Sequence, residues 1–146
     1  MSSNNSILIN KPVSKRTVWL IIIVTVVFVF ATNLIGEKDP TVNVYDDSIE
    51  IKSMFGTNIN MDDIEEISLL DESMREIGIG IRTNGFGGFF GANKGHFEAK
   101  DGSKMLIFTQ ANSVPTIQIQ IKNGPPVYIS FRDPSETIAL FNELQE

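Results

Sequence analysis

Two hydrophobic rhythms divide the chain. From Val18 to Ile35 it reads VWLIIIVTVVFVFATNLI, an uncharged run broken only by Thr25, Thr32 and Asn33. At about 1.5 Å per residue a helix over this run reaches roughly 27 Å, close to the roughly 30 Å hydrocarbon core of a bilayer. A strand of that length suits no small domain, so the run predicts one transmembrane helix. Trp19 near one end and Asn33 near the other are residues that favour the membrane boundary.

Beyond Val42 the rhythm shortens to period two. Val42 and Val44, then Ile49 and Ile51, alternate with polar neighbours across Asp46-Asp47-Ser48 and predict an opening hairpin. Ile59 and Met61 predict a third strand. Ile67 and Leu69, then Ile77, Ile79 and Ile81, continue the pattern on either side of the charged stretch from Asp71 to Glu76. Four more strands are expected at His96 to Lys100, Lys104 to Thr109, Thr116 to Lys122 and Val127 to Phe131, separated by turn-forming Gly, Asn and Pro. The chain closes with a helix. Asp133 is its N-cap, Pro134 its first residue and Glu136 the capping-box partner, while Ile138, Leu140, Phe141 and Leu144 form its apolar stripe.

Charge sharpens this division into a leader at 1–17, a transmembrane helix at 18–35, a linker at 36–41 and a domain at 42–146. Lys11, Lys15 and Arg16 precede the span, whereas all eighteen acids and nine of the twelve bases follow it, leaving the part beyond the span at −9. The excess of bases before the span places the N-terminus in the cytoplasm and the domain outside it. The alternative is a signal peptide cut after Val29 and Ala31, although the apolar run exceeds the usual ~7 to 15 residues. A domain this acidic repels phosphate backbones and anionic headgroups, which argues against nucleic acid and leaves a protein partner or a small ligand.

Chemistry is sparse. The absence of cysteine excludes disulfides, thiolate nucleophiles and cysteine-based metal sites. His96 is the only histidine and is expected as a half-exposed strand residue. Asp62, Asp63, Glu65 and Glu66 lack the EF-hand spacing and are read as a solvated turn. No catalytic residue, metal site or cofactor is expected, and carboxylates alone carry the remaining hydrolase alternative.

The segment NGFGGFFGANKG, Asn84 to Gly95, stands apart, with five glycines interleaved with Phe86, Phe89 and Phe90. One reading is a bulged, irregular crossing whose aromatics fill the fold. The other is an exposed loop in which Phe86, Phe89 and Phe90, presented by Gly87 and Gly88, bind lipid, a small apolar ligand or a partner. It lacks the ending of a phosphate-binding P-loop.

The order VNVYDDSIEIKSMFG, INMDDIEEISLLDE, RTNGFGGFFGANKGHFEAKDG and PVYISFRDPSETIALFNEL resembles bacterial pleckstrin-homology-like domains attached to N-terminal membrane segments. The resemblance spans nearly all of Val42 to Leu144. It implies a mainly β fold, a barrel of about seven antiparallel strands in two orthogonal sheets closed by the C-terminal helix, and no enzymatic activity. Phosphoinositide-binding relatives of such domains carry bases around the first hairpin. Here the tip is Asp46-Asp47 with only Lys52 nearby, so phosphoinositide is disfavoured. The resulting expectation is a membrane-anchored, non-catalytic interaction or scaffolding module.

Overall fold

The computed structural model describes residues 13–146, so Lys11 and most of the expected leader lie outside the described residues. The chain divides into two compact units between Thr32 and Asn33.

The first element, α1 (Lys15–Gly36), covers the expected span and extends it at both ends. Ser14 Oγ accepts from the Thr17 N–H at 3.2 Å and so caps the first turn. Thr25 and Thr32 donate their hydroxyls to the carbonyls of Ile21 and Val29 at 2.8 and 2.9 Å, which satisfies the polar side chains within the helix itself. The helix is long and apolar enough to cross a membrane, and a signal sequence would look the same.

The second unit is mainly β. Three strands, β1 (Thr41–Val44), β2 (Ser48–Lys52) and β3 (Thr57–Asn60), form an antiparallel sheet in that order. A 3-10 turn at Met61–Asp63, capped by Asn60, leads into β4 (Ile64–Leu70), followed by the short helix α2 (Met74–Ile77). Then come β5 (Ile81–Gly87), β6 (Ala92–Glu98), β7 (Lys104–Gln110), β8 (Thr116–Ile121), β9 (Val127–Ile129) and α3 (Pro134–Glu143). The six later strands form one sheet ordered β4-β8-β9-β7-β6-β5.

Burial explains the arrangement. On β7, Leu106 and Phe108 face a core shared with Ile49, Ile51 and Ile59 of the small sheet, Ile117 and Ile119 of β8, and Leu140 of α3. The alternate residues Met105 and Ile107 face a second cluster with Met74, Phe97 and Tyr128, backed by Leu70, Ile77 and Ile79. The large sheet is therefore covered on both faces. At the final helix, Asp133 accepts from the Ser135 N–H at 2.9 Å, and Thr137 turns inward to accept from the Phe131 N–H at 3.0 Å.

Three expectations need correction. The expected closed barrel of seven antiparallel strands is instead two sheets with nine strands among the described residues, and the edges of the three-stranded sheet do not join the larger one. Strand β9 pairs antiparallel with β8 but parallel with β7, so the large sheet is mixed. Alternation identifies strands but carries no information about which edges meet. Finally, Ile77 and Ile79 do not belong to a strand. Ser73 and Glu76 form a reciprocal capping box around α2, and Gly78 ends it at φ 106°; these local hydrogen bonds override the apparent period-two run.

Candidate functional site: a glycine-phenylalanine hairpin and its seat

The unusual segment folds as the hairpin between β5 and β6, with Gly88 to Gly91 at its tip. Gly88 donates to the Ala92 carbonyl at 2.7 Å, and the Ala111 N–H binds the Gly91 carbonyl at 2.8 Å, tying the tip to the end of β7. Further back Gly95 pairs with Gly85 across the hairpin and with Ile107 on β7. Its φ of 108° lies in the region that favours glycine, and the Phe55 ring covers the place where a side chain would sit.

The seat of the hairpin is the segment expected as a linker. Gly36, Glu37 and Pro40 are buried. The Glu37 carboxylate accepts from the Phe90 N–H at 2.7 Å and the Ala92 N–H at 3.3 Å, with the Arg132 guanidinium 3.8 Å away. A side chain at Gly88 would collide with that carboxylate, so the glycine permits the approach. One turn earlier, Asn33 Oδ1 accepts from the Phe89 N–H at 3.1 Å. The backbone of both phenylalanines is thus fastened to residues at the end of the apolar run.

Around this contact lies a polar cluster drawn from distant parts of the chain. Gln110 Nε2 donates to the Glu37 carbonyl at 3.2 Å and to Asp39 Oδ1 at 3.1 Å. Arg132 donates its N–H to Asp39 Oδ2 at 3.1 Å and its guanidinium to the Glu37 carbonyl at 3.2 Å. Lys94, only 3 % exposed, donates to the Lys38 carbonyl. None of Glu37, Asp39, Lys94, Gln110 or Arg132 was singled out from the sequence. The only available signal was the position of Glu37 just after the span; its partners lie 53 to 95 residues away.

Burial holds the Lys94 ammonium below the ordinary lysine value of 10.5; Asp39 and Glu37 oppose the shift and Arg132 adds to it. Between the lowered folded value and 10.5 the unfolded chain binds more protons, so this residue should make stability rise as pH climbs through that window. Denaturant titrations of the full chain in detergent, wild type against Lys94→Met, should show wild type gaining relative to the variant as the solution becomes alkaline. A constant difference would contradict the assignment.

The candidate residues separate by exposure. Phe86 is half-buried, with its ring against Gly36, whereas Phe89 and Phe90 are each 68 % exposed. Gly87 ends β5 beside the Arg82 guanidinium, and Gly88 opens the tip. His96 sits exposed on β6 and lines a groove of about 250 Å³ with Ile59, Asp63, Leu106 and Val127. Asp62 and Asp63 occupy the 3-10 turn, where the Asp62 carbonyl binds Lys122 Nζ at 2.6 Å. Glu65 and Glu66 are exposed on β4.

Comparison with known proteins finds no matching family, no similar curated protein and no similar solved structure.

Proposed function

We propose that this chain is a membrane-anchored, non-catalytic interaction module, distantly pleckstrin-homology-like, whose Phe89-Phe90 tip contacts the bilayer that its own helix crosses. The observation that carries this reading is the pair of exposed rings on a backbone hydrogen-bonded to Asn33 and Glu37. Where the apolar run leaves the hydrocarbon, Asn33 and Glu37 leave with it, and the tip is fixed beside them. Exposed apolar rings such as phenylalanine bury at the boundary between headgroups and acyl chains. The excess of bases before the span, Lys11, Lys15 and Arg16, supports an orientation with the N-terminus in the cytoplasm and the domain outside it.

Local charge supports the contact even though the domain as a whole is acidic. The tip and its seat expose Lys38, Arg82 and Arg132, while the acids there, Glu37 and Asp39, are engaged in hydrogen bonds. The first hairpin remains unsuited to phosphorylated headgroups. Its tip is Asp46-Asp47, and Lys52 is paired with Glu50 at 3.2 Å.

The test uses the full chain in lipid nanodiscs. With Trp19→Phe removing the native indole, Phe89→Trp should give a blue-shifted emission quenched by lipids brominated near the headgroup. The Phe89→Ser/Phe90→Ser variant should keep its stability to within about 0.5 kcal/mol, as expected for exposed positions, while losing protection of the tip from aqueous probes. Emission typical of an indole in water, with no lipid quenching, would sink the membrane contact.

A further inference from the structure

We infer that the cavity behind the hairpin tip is a binding site for a small anion, of phosphate or carboxylate chemistry. This cavity, of about 470 Å³, lies between α2, the start of β6 and the turn after β7, and falls within the usual ~300–1,000 Å³ range of ligand sites. Arg75 and Lys100 both line it, and no acidic residue does. That composition is unexpected where acids outnumber bases two to one beyond the span.

The two bases also lack a carboxylate partner. Among the described residues neither forms an ion pair; the pairs present are Lys52 with Glu50 and Arg132 with Glu37. Two of the acids near them in sequence are engaged elsewhere. Glu76 is held by Ser73 in the capping box, and Asp101 accepts from Ser103 at 2.6 Å.

Arg75 is positioned rather than free. Its backbone N–H donates to the Ala111 carbonyl at 3.0 Å, and its guanidinium rests on Asn112 Oδ1 at 3.3 Å, leaving further donors of its planar fork unused. Asn93 adds an amide side chain to the lining, and Ile79 and Ala111 give it an apolar wall. A guanidinium, an ammonium and an amide around an apolar wall suit a singly or doubly charged oxyanion on a small organic body. Such an anion has two sources, a soluble compound or the headgroup of a phospholipid, since Gly91 belongs both to the cavity wall and to the tip.

The experiment is a two-dimensional NMR titration of the full chain in zwitterionic nanodiscs with inorganic phosphate at constant ionic strength, and in parallel with acetate. Saturable shifts at the Gly91, Asn93, Ala111 and Asn112 amides are expected. They should weaken about tenfold in Arg75→Gln and in Lys100→Gln, and persist in the control Lys52→Gln on the first hairpin. A second arm replaces part of the zwitterionic lipid with anionic phosphatidylglycerol and omits free anion. Shifts there at the same amides assign a headgroup; shifts only with free phosphate or acetate assign a soluble anion. Lys100 is exposed in a turn, so its substitution keeps the test informative if Arg75→Gln disturbs α2. Non-saturable shifts, or shifts of equal size in both variants and wild type, would overturn the site.

Discussion

Replacing Glu37 with alanine is expected to destabilise the folded domain by about 2–4 kcal/mol, far more than an acid within an expected linker would suggest. The carboxylate serves backbone donors at Phe90 and Ala92, and Ala92 is fully buried, so its N–H has no route to water once the acceptor is gone. A buried donor left without a partner costs about 1–3 kcal/mol, and bonds to a charged acceptor lie at the upper end of hydrogen-bond strengths. The Arg132 pair adds little, because it is 3.8 Å long and the arginine side chain is 62 % exposed. Glu37→Gln keeps one acceptor oxygen and should lose about half as much. Urea unfolding of the full chain in detergent measures the loss. Hydrogen exchange should localise it, with the Phe90 and Ala92 amides exchanging faster than those of β2. A variant as stable as wild type would mean that the seat does not hold the hairpin.

Gly95→Ala is expected to cost about 2–5 kcal/mol, from two additive causes. A side chain at φ 108° is strained by about 1–2 kcal/mol. The new methyl would also lie 2.6 Å from the Asn84 carbonyl oxygen and 2.7 Å from Gly85 Cα, both backbone atoms of the paired strand, forcing β5 and β6 apart. Gly102→Ala separates the causes, since Gly102 has φ 84° with nothing within 4 Å of the added carbon; that variant should lose only about 1–2 kcal/mol. Thermal and urea unfolding of the two variants side by side provide the measurement. Equal losses would show that the cross-strand collision is relieved at no cost.

These two residues mark where sequence reading stops. Gly95 is visible in the sequence as one of five glycines in a segment read as a bulged, irregular crossing. Which glycine faces which strand required the register Gly85 to Gly95. Glu37 was visible only as a charge. Its role depends on Phe90, Ala92, Gln110 and Arg132, all brought to it by long-range folding. Similarly, Arg75 and Lys100 become neighbours of one cavity only because α2 and the β6–β7 turn flank the same hairpin. The three phenylalanines were recognised together, but their fates differ, since Phe86 covers Gly36 while Phe89 and Phe90 face outward.

The sequence by itself determined what is local. An uncharged run of apolar residues makes α1, alternation makes the first hairpin, and Asp133-Pro134 starts α3, because such signals depend on neighbours a few residues apart. Even the overlooked α2 was written locally, in Ser73 and Glu76. Tertiary structure alone decided that β9 enters between β7 and β8, that the sheets stay separate, and that a buried carboxylate fastens the phenylalanine hairpin to the end of the apolar run. Those outcomes depend on which edges and donors meet across the fold, and a period of two or 3.6 residues is the same whichever partners are met.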